Sequence, residues 1–422
     1  MSRILIENGR VIDPSQKLDR VTNLLVDDGR IVAYDAVATG NERIIPASGK
    51  IVSPGLIDLH VQLREPGRED DETIQSGTAA AIAGGFTSIV CLPNTEPPID
   101  TQASVEFIRQ KAARAGNCHV LVAGCVSKDR GGKELAEIGS LVEAGAVAFT
   151  DAPRGIQNAE LLRRALEYCL MFDKPILNHP EVLELSHDGV MHEGTVSMVL
   201  GLEGLPVEAE DVMTSRDLRL AEATGGRLHI LNISSQSSVE LLRRSKSRGV
   251  GVTVGVCMYN LVLTDESLRT FDSNYKVDPP LRSQEHVEAC LQGLKDGTID
   301  VISSAHAPRA SETKMLELDQ APFGMVGLET LLGLVVTKLI QPGHLDWMSA
   351  LEKLTVNPAR VLGIRKGTLE IDAVADITII DPDVIWTVDP KQFRSRSVNT
   401  PFAGWTLQGR AIQVLVGGQP RL

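Results

Sequence analysis

LIDLHV at residues 56–61, ETIQSGTAAAIAGG at 72–85 and FTSIVCL at 86–92 follow closely on one another, and their textures differ. The first and third are short apolar runs of the kind that form strands buried on both faces. The second is an alanine-rich stretch closed by two glycines, as a helix C-terminus favours. Strand, helix and strand in this order read as a parallel crossover unit. Further apolar runs begin at His119 (HVLVAGC), Gly145 (GAVAFTD), Lys174 (KPILNH), Arg227 (RLHILNI), Gly249 (GVGVTVGV) and Ile299 (IDVISSAH). Amphipathic stretches such as ASVEFIRQKAARAG, AELLRRALEYCLMF and SVELLRRSKSRG lie between them. Eight strands alternating with helices predict an α/β fold, a (β/α)8 TIM-like barrel over residues 53–365.

The two ends of the chain read differently. ILIE, NLLV, RIVAY and ERIIPA are short β-type runs broken by turns, and GTLE, DITIID, PDVIW and TLQGRAIQVLVGGQ repeat that texture at the other terminus. Neither set is long enough alone, so residues 1–52 and 366–422 are expected to build one small composite β-sandwich domain.

Composition narrows the function. The chain has 422 residues, enough to bury a large core without disulfide or metal staples. Its 42 lysines and arginines against 55 acids give a net charge of −13, which disfavours nucleic acid and anionic membranes as partners. The six cysteines are scattered with no CxxC pair and read as buried thiols of a reducing compartment. The first residues do not read as a signal peptide, and LLGLVV is far short of a membrane span, so a cytoplasmic protein is expected.

Barrel enzymes carry their chemistry at the C-terminal ends of the strands. Here those ends supply His60, Gln62 and Arg64; Asn94; Asp151; Asn178 and His179; Asn232; and Ala305, His306 and Arg309. Metal-ligand types are present, mixed with amides and an alanine.

PGLIDLHVQLREPG and CLPNTEPPID resemble the opening of the amidohydrolase superfamily, and its type I dihydroorotase branch most of all. The resemblance continues through HEGTVSMVLGLEGLPVEAE, KVDPPLR, APFGMVGLETLL, TVNPARVLG and VNTPFAGWTLQGR, and so covers essentially the whole chain. It implies a zinc enzyme of pyrimidine synthesis that closes N-carbamoyl-aspartate to dihydroorotate and reopens it. Such a reaction needs a metal to polarise the amide carbonyl and generate hydroxide. It also needs a carboxylate to shuttle the proton and a cationic corner to hold the substrate carboxylate.

The same resemblance exposes departures. The family's HxH pair is His60-Val61-Gln62 here, and glutamine is a poor zinc donor. Asp151 and His179 match family ligand positions, whereas Asn232 replaces a histidine and Ala305 replaces the aspartate that shuttles the proton. A residual metal set of His60, Asp151 and His179 is therefore the most that zinc could find. Arg64 and Asn94 match the substrate-carboxylate positions, Arg309 replaces a histidine, and Asp278 replaces an asparagine. The adjacent His306 should face away from the Ala305 side. His187, His192, His286 and His344 are expected at the surface.

Two functions follow as expectations. One is a catalytically inactive or weak dihydroorotase homologue serving as a structural partner of aspartate transcarbamoylase, as some family members do. The other is an active dihydroorotase with a reduced metal set. A hydantoinase or allantoinase is disfavoured because VAFTDAP lacks the lysine those relatives carry. A homo-oligomer is expected in either case.

Overall fold

Thr73 starts the first barrel helix, Ile74–Ala83, with a capping box in which its side chain accepts from the Ser76 backbone while the Ser76 hydroxyl accepts from the Thr73 N–H. Gly84 ends it, and Gly85, at φ 92°, turns the chain straight into the next strand. The computed structural model describes residues 3–422. Its eight barrel strands are Leu56–Val61, Phe86–Cys91, His119–Gly124, Ala146–Phe149, Ile176–Asn178, Leu228–Ile230, Val252–Cys257 and Val301–Ser303. They pair in sequence order and in parallel. A parallel bridge from Val61 to His306 joins the last strand's end to the first and nearly closes the ring. Every strand anticipated from the apolar runs is present.

Strand period fixes what faces where. Ile57 and Leu59 enter an apolar cluster with Val90, Leu92, Leu177 and Leu231, while Asp58, His60 and Gln62 take the alternate positions. The polar residues are therefore delivered together to one side of the first strand.

Strands from both termini share one eight-stranded sheet. Ile51–Pro54 is its seam, lying between Ile4–Asp13 and the C-terminal strand Ile377–Thr387. That C-terminal strand runs through DITIID and PDVIW without a break, because a register shift between Asp381 and Ile385 accommodates Pro382. Asp376 ties this sheet to the N-terminal end of the barrel. Its carbonyl accepts from Gly55, and its carboxylate accepts from His119, Lys366 and the Gly417 backbone. All six cysteines are buried and free. Among the described residues no helix is long and apolar enough to cross a membrane.

Candidate active site

Arg64, Asn232 and Ala305 all lie just beyond barrel strands with positive φ, at 63°, 47° and 47°. This conformation costs an L-residue roughly 1–2 kcal/mol. Backbone strain of that kind is tolerated where the fold holds a site in a fixed shape. The three residues mark the mouth of the barrel.

Within it, the substituted positions have found hydrogen-bond partners. Asn232 accepts from the Ser303 hydroxyl at 2.7 Å through Oδ1, which leaves its NH2 to donate to His60 Nδ1. Burial, then the charge of His179, hold His60 down to about 3, so the ring is neutral. A neutral ring that accepts at Nδ1 carries its proton on Nε2. Neither nitrogen then offers a lone pair to a cation. Gln62 is likewise committed, its Oε1 accepting from Asn94 Nδ2 at 2.9 Å.

Asp151 is turned to a different task. Its Oδ1 accepts from the backbone N–H of Val126 and Ser127 at 2.9 and 3.1 Å, and its Oδ2 from the Ser127 hydroxyl at 2.5 Å. The carboxylate pins the loop after the third barrel strand. His179 pairs instead with Asp278, Nε2 to Oδ1 3.2 Å, with Glu181 Oε2 at 3.8 Å. Burial opposes a charge on His179, but the charge and hydrogen bond of Asp278, helped by Glu181 and Glu210, raise it to about 9.

The zinc implied by the resemblance therefore does not fit the donor set expected for it. His60, Asp151 and His179 do not converge: His60 accepts from Asn232, Asp151 accepts from Val126 and Ser127, and His179 donates to Asp278. Among the described residues, the one group of His, Cys, Asp and Glu with ligand atoms all within 4.8 Å of one another is His179, Glu181 and Asp278. At the proton-shuttle position Ala305 offers only a methyl group. His306 lies apart, its ring facing Glu72 at 3.3 Å and accepting from Gly327.

Arg64 and Arg309, expected to hold a substrate carboxylate, lie close together beside Asp71. Arg64 is buried, donates through Nε to the Pro308 carbonyl at 3.3 Å and stands 3.9 Å from Asp71. Its Nη2 is buried without a hydrogen-bond partner. Arg309 shares Asp71, also at 3.9 Å, and donates to the Phe323 carbonyl. Burial, then the neighbouring charge of Arg309, push the Arg64 guanidinium well below its ordinary value. The pair is thus short of negative charge. Asn94, expected beside them, donates to Gln62.

Two surface expectations are overturned. His192 is buried, its Nδ1 3.2 Å from Arg282 and its ring edge-on to His286 at 5.5 Å. His286 is buried too and accepts from the Gln236 N–H. Both were misjudged because the segment after the fifth strand folds back over the barrel as a short two-stranded pair, Met191–His192 with Gly204–Leu205. Sequence reasoning also passed over Glu181 and Ser303; the spacing His179-x-Glu181 was the available signal for the first.

Similarity to known proteins gives the ancestry. A dihydroorotase from Pelotomaculum thermopropionicum is 50% identical over 418 residues, covering 99% of this chain and 98% of its own length. The chain belongs to the dihydroorotase-like family. A second family member, the dihydroorotase of Syntrophus aciditrophicus, is 47% identical over 99% of this chain and 98% of its own. The dihydro-orotase-like family model matches residues 49–238. Among solved structures, the L-hydantoinase (dihydropyrimidinase) of Arthrobacter aurescens is similar with a TM-score of 0.89 at 26% identity, over 100% of this chain and 96% of that one.

Proposed function

We propose that the chain is a dihydroorotase-like protein of pyrimidine biosynthesis that binds N-carbamoyl-aspartate or dihydroorotate but turns it over weakly or not at all. The observation that carries this reading is Arg64. A buried guanidinium with an unpartnered Nη2 is costly unless an anion completes it. Loss of turnover rests on the His60–Asn232 pair and on Ala305, since a missing acid/base group alone costs about 10²–10⁴-fold. Such a protein has a use as a structural partner of aspartate transcarbamoylase.

A second reading, an active dihydroorotase with a reduced metal set, has its own support. Relatives 44–50% identical over nearly the whole chain are named dihydroorotase, and this supports catalysis over a purely structural role. Calorimetry with N-carbamoyl-aspartate and a dihydroorotate turnover assay, each with and without added zinc, separate the two. Binding should weaken by about 10–100-fold in Arg64→Met, the loss expected for a charged hydrogen-bonded contact. Turnover matching the dihydroorotase relatives would overturn the inactive reading. Binding unchanged in Arg64→Met would overturn the ligand assignment.

A further inference from the structure

We propose that His179, Glu181 and Asp278 form a mononuclear site for a divalent transition-metal cation, displaced from the position where dihydroorotases hold theirs. The set is distinct from the expected one: two of its three members, Glu181 and Asp278, are not residues the family resemblance supplies as ligands.

Three observations converge. The first is spacing. His179 Nε2 lies 3.2 Å from Asp278 Oδ1 and 3.8 Å from Glu181 Oε2. Donors bonded at about 2.0–2.2 Å in a tetrahedral shell sit roughly 3.4 Å apart, so these separations suit a shared ion. The second is space. A cavity of about 20 Å³ is lined by all three side chains. A void of roughly 10–15 Å³ already admits one water-sized species. The third is the ring itself. His179 is buried and directs Nε2 at both carboxylates. A neutral ring ligating through Nε2 leaves the positive charge on the cation, between the two carboxylates.

The cation nearby does not occupy this role. Arg282 also lines the small cavity, but it donates to Ser234 and the Leu205 carbonyl and stands 3.6 Å from Glu210. One imidazole and two carboxylates suit zinc, manganese or cobalt. Three protein ligands leave a coordination position open, as in catalytic rather than structural sites. Glu181 and Asp278 also border an open cavity of about 970 Å³, through which an ion and its water can enter.

The test uses the full chain, stripped with chelator and reloaded with cobalt(II) or zinc. Metal analysis after gel filtration and the cobalt absorption spectrum should report about one ion per chain, with a spectrum of low coordination number. Asp278→Asn and Glu181→Gln should each weaken loading by about tenfold or more, the range seen when a metal site loses a supporting group. His60→Asn should leave it unchanged. Glu181→Gln serves as the second variant if Asp278→Asn loses its near-ultraviolet circular dichroism. Failure to load, or loading lost in His60→Asn yet kept in Asp278→Asn, overturns the proposal. Binding of N-carbamoyl-aspartate at Arg64, measured on the stripped chain, is a separate readout, so either idea can fail alone.

Discussion

His60 and Asn232 meet across the barrel mouth as partners in a hydrogen bond. Where a metal enzyme needs two free lone pairs, this chain has a donor and an acceptor that satisfy each other. Restoring the donors is therefore a test at single-residue resolution. The combined variant Gln62→His, Asn232→His and Ala305→Asp should bind zinc beyond the wild-type amount and raise dihydroorotate turnover by about 10²–10⁴-fold. Backbone geometry permits the changes, because His and Asp are among the residues that tolerate the positive φ found at 232 and 305. A triple variant with no extra zinc would mean that the mouth itself has moved. The substitutions were legible in the sequence, but the pairs that replaced the ligands were not. Gln62 with Asn94, and Asn232 with Ser303, join residues 32 and 71 positions apart.

At the scale of elements, Asp376 joins the terminal sheet to the barrel floor. Asp376→Asn weakens two contacts of the carboxylate, to His119 and Lys366, and should cost about 1–3 kcal/mol in urea unfolding. Burial alone would raise the Asp376 carboxyl, but His119 and Lys366 hold it below its ordinary 3.8. A depressed carboxyl contributes stability above the unfolded value and loses it as pH falls through the folded one. The variant's deficit should therefore shrink below about pH 4. An equal deficit at every pH would show that the ion pairs contribute nothing. That both termini supply this sheet was readable from their shared β texture. The Asp376 joint was not, since nothing local marks an aspartate as the partner of a histidine 257 residues away.

For the molecule as a whole, buried neutral histidines set the response to acid. His229 is buried, its Nδ1 2.9 Å from Thr253 Oγ1, and burial lowers it to about 3. His192 is lowered to about 3 by burial and by Arg282. Below the unfolded value near 6.5 the unfolded chain takes up protons that the folded chain refuses, so stability is lost as pH falls from 6.5 toward 3. Each such histidine contributes a slope of about 1.4 kcal/mol per pH unit. Urea unfolding between pH 7 and 5 should show this decline, and His229→Gln should flatten it by about that amount. An unchanged slope in the variant would mean that His229 protonates freely in the fold.

Sequence by itself determined the barrel, the ancestry and the list of residues at the strand ends. These follow from local pattern: apolar runs, glycine stops and a strand period that sends His60 and Gln62 to one face. Only the tertiary structure decided what those residues do. A carboxylate such as Asp151 is a ligand or a loop pin according to which donors the fold brings to it, and here Val126 and Ser127 reach it first. The same holds for His179, whose partners Glu181 and Asp278 come from two different loops. Hydrogen bonds and ion pairs act over a few ångströms of space, and the spacing of residues along the chain does not encode that distance.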